Sequence, residues 1–454
     1  MTILSVKEAQ DLLQKALSFS KADEMEATLT GGRAAYTRFG VNTASTSGDT
    51  DNLTLVINAH FGQRGGTATT NTLDDKGLER VVRAAEEIAR LRPEDPEQQP
   101  FLDKQKYDEI SGAFDEATYR AEAKTRAEGI AATIDAARAK NLVAAGLFDH
   151  AGDFTAIANT RGNFGYTRSS LASYTTTVRT ADGTGSGWAS FISRRIGDID
   201  ARAVGQRAIE KASLSQNPVA LEPGNYTVIL EPEAAGDLIA RMLFLFNARQ
   251  ADEGRSFLSK KGGGNRLGEK FFGEGVNLYT DPNHTAAPGA PFDNEGLPTR
   301  RMDLIRNGVV QNLLYSRYWA KKRSAELNRQ IDPTPMPTNI IMDGGNTSIE
   351  EMIKSTERGI LVTRFWYIRP VDPQTVLFTG LTRDGTFLVE GGRIKSAIKN
   401  FRFNETPVKI LNNIEAMSPP APVTGSERFG ANRPVLFPAL KVRDFAFTSL
   451  SDAV

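Results

Sequence analysis

His60, His150 and His284 are the three histidines of a 454-residue chain that contains no cysteine. Without cysteine, a disulfide, a thiolate metal site and a cysteine nucleophile are all excluded. Zinc is ordinarily held by closely spaced histidine or cysteine ligands, and no His-Glu-x-x-His pattern occurs. His284 shares its stretch with Asp281, Asp293 and Glu295, an oxygen-rich set of the kind that holds hard cations. A loop with acidic turn residues is the plainer reading. Gly183-Thr184-Gly185-Ser186-Gly187 places a serine among glycines, but a nucleophile elbow needs glycine two residues after the serine, and Trp188 stands there. A tight hairpin is expected instead. Lys260–Arg266 contains three consecutive glycines with flanking cations, a composition able to offer amides and charge to an anion. Its spacing matches neither the P-loop nor the dinucleotide pattern, so a mobile surface loop is expected.

The run after Leu230 matters more. Asn225–Leu230 reads as a strand and Glu231–Asn247 as a helix, with Pro232 suited to its first turn. Leu238, Ile239, Met242, Leu243 and Phe246 make that helix apolar on most sides, so it should be buried. Arg241 interrupts the apolar run. It needs a carboxylate partner if buried, or its head snorkels to the helix edge. Downstream lie the phrase Pro291-Phe292-Asp293-Asn294-Glu295-Gly296-Leu297-Pro298-Thr299-Arg300 and a hairpin-like Leu304–Val310.

The elements around these residues follow from period and punctuation. Ser5 and Glu8 form a capping box before an apolar helical stripe. Residues 24–68 alternate with a period near two and read as antiparallel strands. Asp74 caps a second helix ending before 93–100, where three prolines and three acids mark a boundary. A long helix is expected over 115–140, then strands at 143–147, 155–158 and 174–178 and a helix after Asp200. Setting 77–91 against 200–214, an offset of 123, repeats the order strand, turn, strand, helix. An internal duplication and the mere recurrence of a common meander-plus-helix arrangement both fit. Further on, helices are expected over 314–327 and 347–356. Strands are expected at 360–362, 376–379, 386–390, 397–403 and 439–447, with turns at 383–385 and 390–392. The fold class is therefore α+β: an antiparallel sheet with flanking helices in the N-terminal half, and a β-rich C-terminal half with few helices. Expected domains are 1–92, 101–220 packed with the first, and 221–454.

Lysine plus arginine and aspartate plus glutamate both number 55. A balanced charge gives no electrostatic footprint for nucleic acid, and no apolar run approaches the roughly 20 residues that cross a bilayer. No N-terminal segment has signal-peptide form. A soluble cytoplasmic protein, without nucleic-acid or membrane partners, is expected.

Three stretches of the chain resemble the TldD/PmbA family, once called modulators of DNA gyrase: 38–91, then 226–236 with the Phe292–Thr299 phrase and 304–308, and finally 337–339 with 356–361. In that family the TldD type is a metallopeptidase with His-Glu-x-x-x-His on the helix after the strand. Carried over by its glycine at Gly236, the motif falls on Ala240, Arg241 and Leu245. None of these can do the motif's work: alanine and leucine offer no ligand atom, and a guanidinium repels a metal and cannot act as a base. The family's later cysteine ligand has no counterpart either.

The resemblance is thus to the PmbA (TldE) type, a subunit without its own metal motif. It implies no catalytic residue and no cofactor in this chain, with zinc in a TldD-type partner of a bacterial heterodimer that degrades or matures small unfolded peptides. Strand edges of the β-rich C-terminal half would suit peptide binding through backbone hydrogen bonds. Arg241, Asp293, Asn294, Glu295 and Arg300 are the expected substrate-cleft or interface residues. A homodimeric regulatory or peptide-binding protein is the alternative, and a hydrolase built on the Asp281–Glu295 cluster a third.

Overall fold

Ser5 opens the first helix through a reciprocal cap. Its hydroxyl accepts from the N–H of Glu8, and the Glu8 carboxylate accepts from the N–H of Ser5. In the computed structural model, which describes residues 3–425 and 434–451, this helix (α1, Val6–Ser18) leads into three strands. They are β1 (Glu24–Gly40), β2 (Thr43–Phe61) and β3 (Arg64–Thr70), and α2 (Asp75–Leu91) follows them. After α3 (Glu116–Tyr119) the plan recurs as α4 (Ala123–Arg138), β4 (Leu142–Asn159), β5 (Phe164–Thr180), β6 (Ser186–Ser193) and α5 (Ala201–Leu214).

All six strands form one antiparallel sheet in the order β3-β2-β1-β4-β5-β6. The two halves meet at the β1–β4 pair, which places equivalent strands symmetrically about it. Leu13, Leu78 and Val82 of α1 and α2 cover one half, and Ile130, Ile134, Val204 and Ala208 of α4 and α5 cover the other. The repeat extends to atomic detail. A Cβ at Gly66 would sit 2.2 Å from the carbonyl oxygen of Ala85 and 2.4 Å from the nitrogen of Ala89. At Gly187 the same contacts are 2.2 Å to Ala208 and 2.3 Å to Ala212. Those alanines are related by the offset of 123 read in the sequence. Only glycine lets each helix lie this close to its strand.

The C-terminal half begins with β7 (Gly224–Leu230), α6 (Pro232–Ile239) and α7 (Ala248–Asp252). Next come β8 (Leu278–Thr280), β9 (Met302–Arg306), β10 (Val309–Val310), α8 (Arg317–Leu327), β11 (Ile340–Met342) and α9 (Ile349–Lys354). It ends with β12 (Arg358–Asp372), β13 (Leu377–Glu390), β14 (Arg393–Ala397), β15 (Phe401–Glu405), α10 (Pro407–Asn412), β16 (Ile414–Pro422) and β17 (Val435–Leu450). The pairings β7–β12, β12–β13, β13–β15, β15–β17 and β17–β7 close a ring of five strands. Closure removes open edges within the ring, while β10, β14 and β16 outside it each pair with one strand. Phe365, Phe403 and Phe445 fill the ring, with centroids 4.5–5.7 Å apart. Among the described residues no helix is long and apolar enough to cross a membrane.

Five sequence expectations change, the first being that the strands expected at 143–147 and 155–158 are one, β4. The helix expected over 115–140 is two, α3 and α4. The buried Thr118 hydroxyl donates to Asp115 and accepts from the N–H of Ile196, tying the first turn to another part of the chain. The helix expected over 231–247 ends as α-helix at Ile239 and continues as a 3₁₀ turn through Ala240–Leu245. The 383–385 turn is a bulge inside one strand, β13, where Asp384 takes φ +53° and Gly385 φ +122°. The strand expected over 397–403 divides into β14 and β15.

Candidate functional site

Strand β7 lies inside the C-terminal sheet, between β12 and β17, and delivers the chain to α6. Every residue of α6 from Glu233 to Ile239 is buried, yet Glu233 and Asp237, with Arg241 beyond, recur at a spacing of four. That spacing puts their side chains on one face. Glu233 accepts from the N–H groups of Thr424 and Gly425. Burial, reinforced by the nearby Asp237 carboxylate, pushes its carboxyl up to about 7, the range in which a group exchanges protons at neutral pH.

Arg241 resolves the choice its sequence leaves open. Its Nη2 donates to Asp237 Oδ1 at 3.0 Å and its Nε to the Asp237 main-chain carbonyl at 3.1 Å, with the side chain 12% exposed. It is paired on its own helix.

At the remaining motif positions, Ala240 is buried in the large apolar cluster and Leu245 packs half-buried against it. The break between this 3₁₀ segment and α7 has a tertiary partner. The N–H of Leu314 donates to the carbonyl of Phe246, and the N–H of Ala248 donates to the carbonyl of Leu314. These bonds take the backbone out of helical pairing, and Asn247 then caps α7 through the N–H of Gln250. Zinc of the kind the family motif holds does not fit this donor set: one methyl, one isobutyl group and one ion-paired guanidinium.

Asp293 is the pivot of the 291–300 phrase. Its Oδ1 accepts from the N–H groups of Glu295 and Leu297, and its Oδ2 from that of Met336. Burial raises its pKa and those three backbone bonds lower it, with burial winning. Gly296, at φ +77°, turns its carbonyl to the Tyr107 hydroxyl at 2.7 Å, and the Tyr107 and Phe292 rings meet at 4.8 Å, tilted by 51°. The phrase therefore clamps the N-terminal half to the C-terminal half. Asn294 and Glu295 are exposed and line a cleft of about 440 Å³ with Glu26, His60 and Arg317. Arg300 is exposed and lines a different cleft. The five expected cleft residues are thus not gathered in one place: Arg241 lies in the 3₁₀ segment just after α6, Asp293 is structural, and the other three face two clefts.

The weaker candidates are also placed. His284 closes a turn with Asp281, while Asp281 pairs with Arg301 and Asp293 is occupied as described. Among the described residues no three histidines, aspartates or glutamates come together as metal ligands. Lys260 and Arg266 both pair with Glu269, and Gly262, Gly263 and Gly264 all take positive φ in a tight turn. Ser186 donates to Asp384, which also pairs with Arg364. Arg364 lies 4.7 Å from Trp188 and 5.3 Å from the Trp366 ring. This buried group joins β6 to the ring and has no local sequence signal. The Glu233–Asp237–Arg241 face could have been found, since charge at every fourth residue of an apolar helix is a readable pattern.

The profile of the PmbA/TldA metallopeptidase C-terminal domain matches residues 223–449, and that of the central domain matches 100–216. A metalloprotease from Methanothermobacter thermautotrophicus is 26% identical over 230 residues, covering 48% of this chain and 47% of the relative. Metalloprotease PmbA from Escherichia coli O157:H7 is 26% identical over 389 residues, covering 80% and 82%. Matches to the first-ranked curated relatives span about half of those proteins' length. The crystal structure of TldE from Thermococcus kodakarensis superposes with a TM-score of 0.84 at 20% identity, covering 97% of this chain and 99% of that one. Both domain profiles and the fold agree: the chain belongs to the TldD/PmbA family of metallopeptidase-like proteins.

Proposed function

We propose that the chain is the non-catalytic subunit of a heterodimeric zinc metallopeptidase that degrades or matures small unfolded peptides in the cytoplasm. One observation carries the reading. The family frame of strand, helix and clamp is kept, while the motif positions hold Ala240, Arg241 and Leu245, packed or ion-paired as hydrophobic and structural residues. A TldD-type partner supplies the zinc and the reacting groups. This chain completes the cavity and positions the substrate.

Backbone recognition of extended peptides suits such a role. Support lies in the N-terminal sheet rather than the closed ring: β2 pairs with β3 only from Leu55 onward, and its exposed 43–52 stretch runs on past that pairing. Co-expression with a paralogue carrying His-Glu-x-x-x-His tests the reading. A stable mixed complex is expected, with peptide cleavage that needs both chains. A partner fully active alone, with this chain running as a homodimer, points to the regulatory alternative.

A further inference from the structure

Arg300 and Arg329 border one cleft from different parts of the C-terminal half, and neither forms an ion pair among the described residues. Arg300 follows the clamp phrase. Arg329 follows Asn328, the left-handed residue that ends α8. Between them the cleft encloses about 530 Å³, within the usual span of ligand sites. Arg301 and Arg306 line it as well, and both pair with the buried Asp303. The wall carries four arginines against two aspartates, Asp303 and Asp332, which leaves a surplus of two positive charges. Gln311 adds an exposed amide, whereas Asn312 is occupied by the Asp303 carbonyl.

A cleft of this composition is poorly suited to an apolar ligand. A guanidinium presents a planar fork of donors that matches carboxylate oxygens two at a time, and two forks without a carboxylate partner call for more than one anionic group. We infer that this cleft binds a multivalent carboxylate ligand, namely a short acidic peptide segment, with Arg300 and Arg329 as the primary contacts. The site is separate from the motif positions that follow α6. The inference does not rest on the heterodimer reading, because binding is measured on this chain alone.

Isothermal titration of the full chain with triglutamate at low salt tests it, with trilysine and inorganic phosphate alongside. Triglutamate should bind, and binding should weaken with added salt. The Arg300→Ala/Arg329→Ala variant should bind it at least about tenfold more weakly. Arg300→Lys/Arg329→Lys, which keeps charge but loses the fork, should fall between. Both arginines are exposed, so folding is expected to survive, and circular dichroism checks it. Four results would overturn the assignment: no triglutamate binding, equal binding by the alanine variant, trilysine binding as tightly as triglutamate, or phosphate binding without triglutamate.

Discussion

Arg241 turns back one helical turn to Asp237, 3.0 Å away, so the guanidinium at the position of the family's catalytic glutamate is committed to its own helix. Removing it takes away the cation 3.0 Å from the Asp237 carboxylate, which is 1% exposed. Arg241→Ala should therefore cost on the order of 2–3 kcal/mol, read as a shift in the urea midpoint. Arg241→Glu should cost more, because three carboxylates would then share one face with Glu233 and Asp237. If Arg241→Glu is as stable as the parent, the pairing described here is wrong.

Stability should fall as pH rises from about 5 to about 7.5. Burial holds Glu26 and Glu233 up to about 7 and Asp153 up to about 6, against roughly 4 in an unfolded chain. In that window the folded chain binds more protons than the unfolded chain, so the slope of stability with pH is negative and levels off above about 7. His150 opposes this. Burial and Arg126 depress it to about 4, and stability from that group rises with pH up to about 6.5. Burial depresses His60 in the same direction, and the three carboxyls outweigh the two imidazoles. Thermal melts across the range check the sign, and Glu233→Gln should flatten the decline. A midpoint that climbs steadily from pH 5 to 7.5 would contradict the buried, protonated carboxyls.

The clamp between the halves should depend on Asp293 more than on its exposed neighbours. Asp293→Ala leaves three backbone donors without their acceptor, a cost on the order of 3 kcal/mol. Tyr107→Phe removes the hydroxyl that donates to Gly296 and accepts from Asn163, for about 1–2 kcal/mol. Asn294→Ala should stay within about 0.5 kcal/mol. Chemical denaturation of the three variants ranks them, and equal effects would remove Asp293 from the pivot.

Gly66→Ala and Gly187→Ala should destabilise by similar amounts, about 1–3 kcal/mol each. Both glycines lie against an Ala-x-x-x-Ala face of the following helix at nearly identical distances. A large effect at one and none at the other would show the two halves to be packed differently.

Much of this architecture was legible. Periodicity and caps located α1, α2 and α5, because Ser5, Asp74 and Asp200 announce helix starts by local hydrogen bonding. The offset of 123 was readable as order, although the matched Gly–Ala–Ala contacts emerge only in three dimensions. Local signals failed where distant atoms decide. Leu314 takes up the backbone at Phe246 and Ala248 where the sequence reads as helix, and the Asp384–Arg364 pair accompanies a bulge at what looks like a turn. Arg364 and Asp384 are ordinary residues on separate strands until the hairpin pairs them. Asp293 looked like a cleft residue because aspartate in a polar phrase suggests chemistry; its oxygens are spent on backbone instead. Arg300 and Arg329, by contrast, share a cleft that no sequence spacing reveals.

Zinc content and peptidase activity of the purified chain alone bear most directly on the central claim. Metal analysis after incubation with zinc should give well under one bound ion per chain, and unfolded peptides should stay intact. One tightly held zinc per chain, with cleavage that a chelator abolishes, would contradict the account.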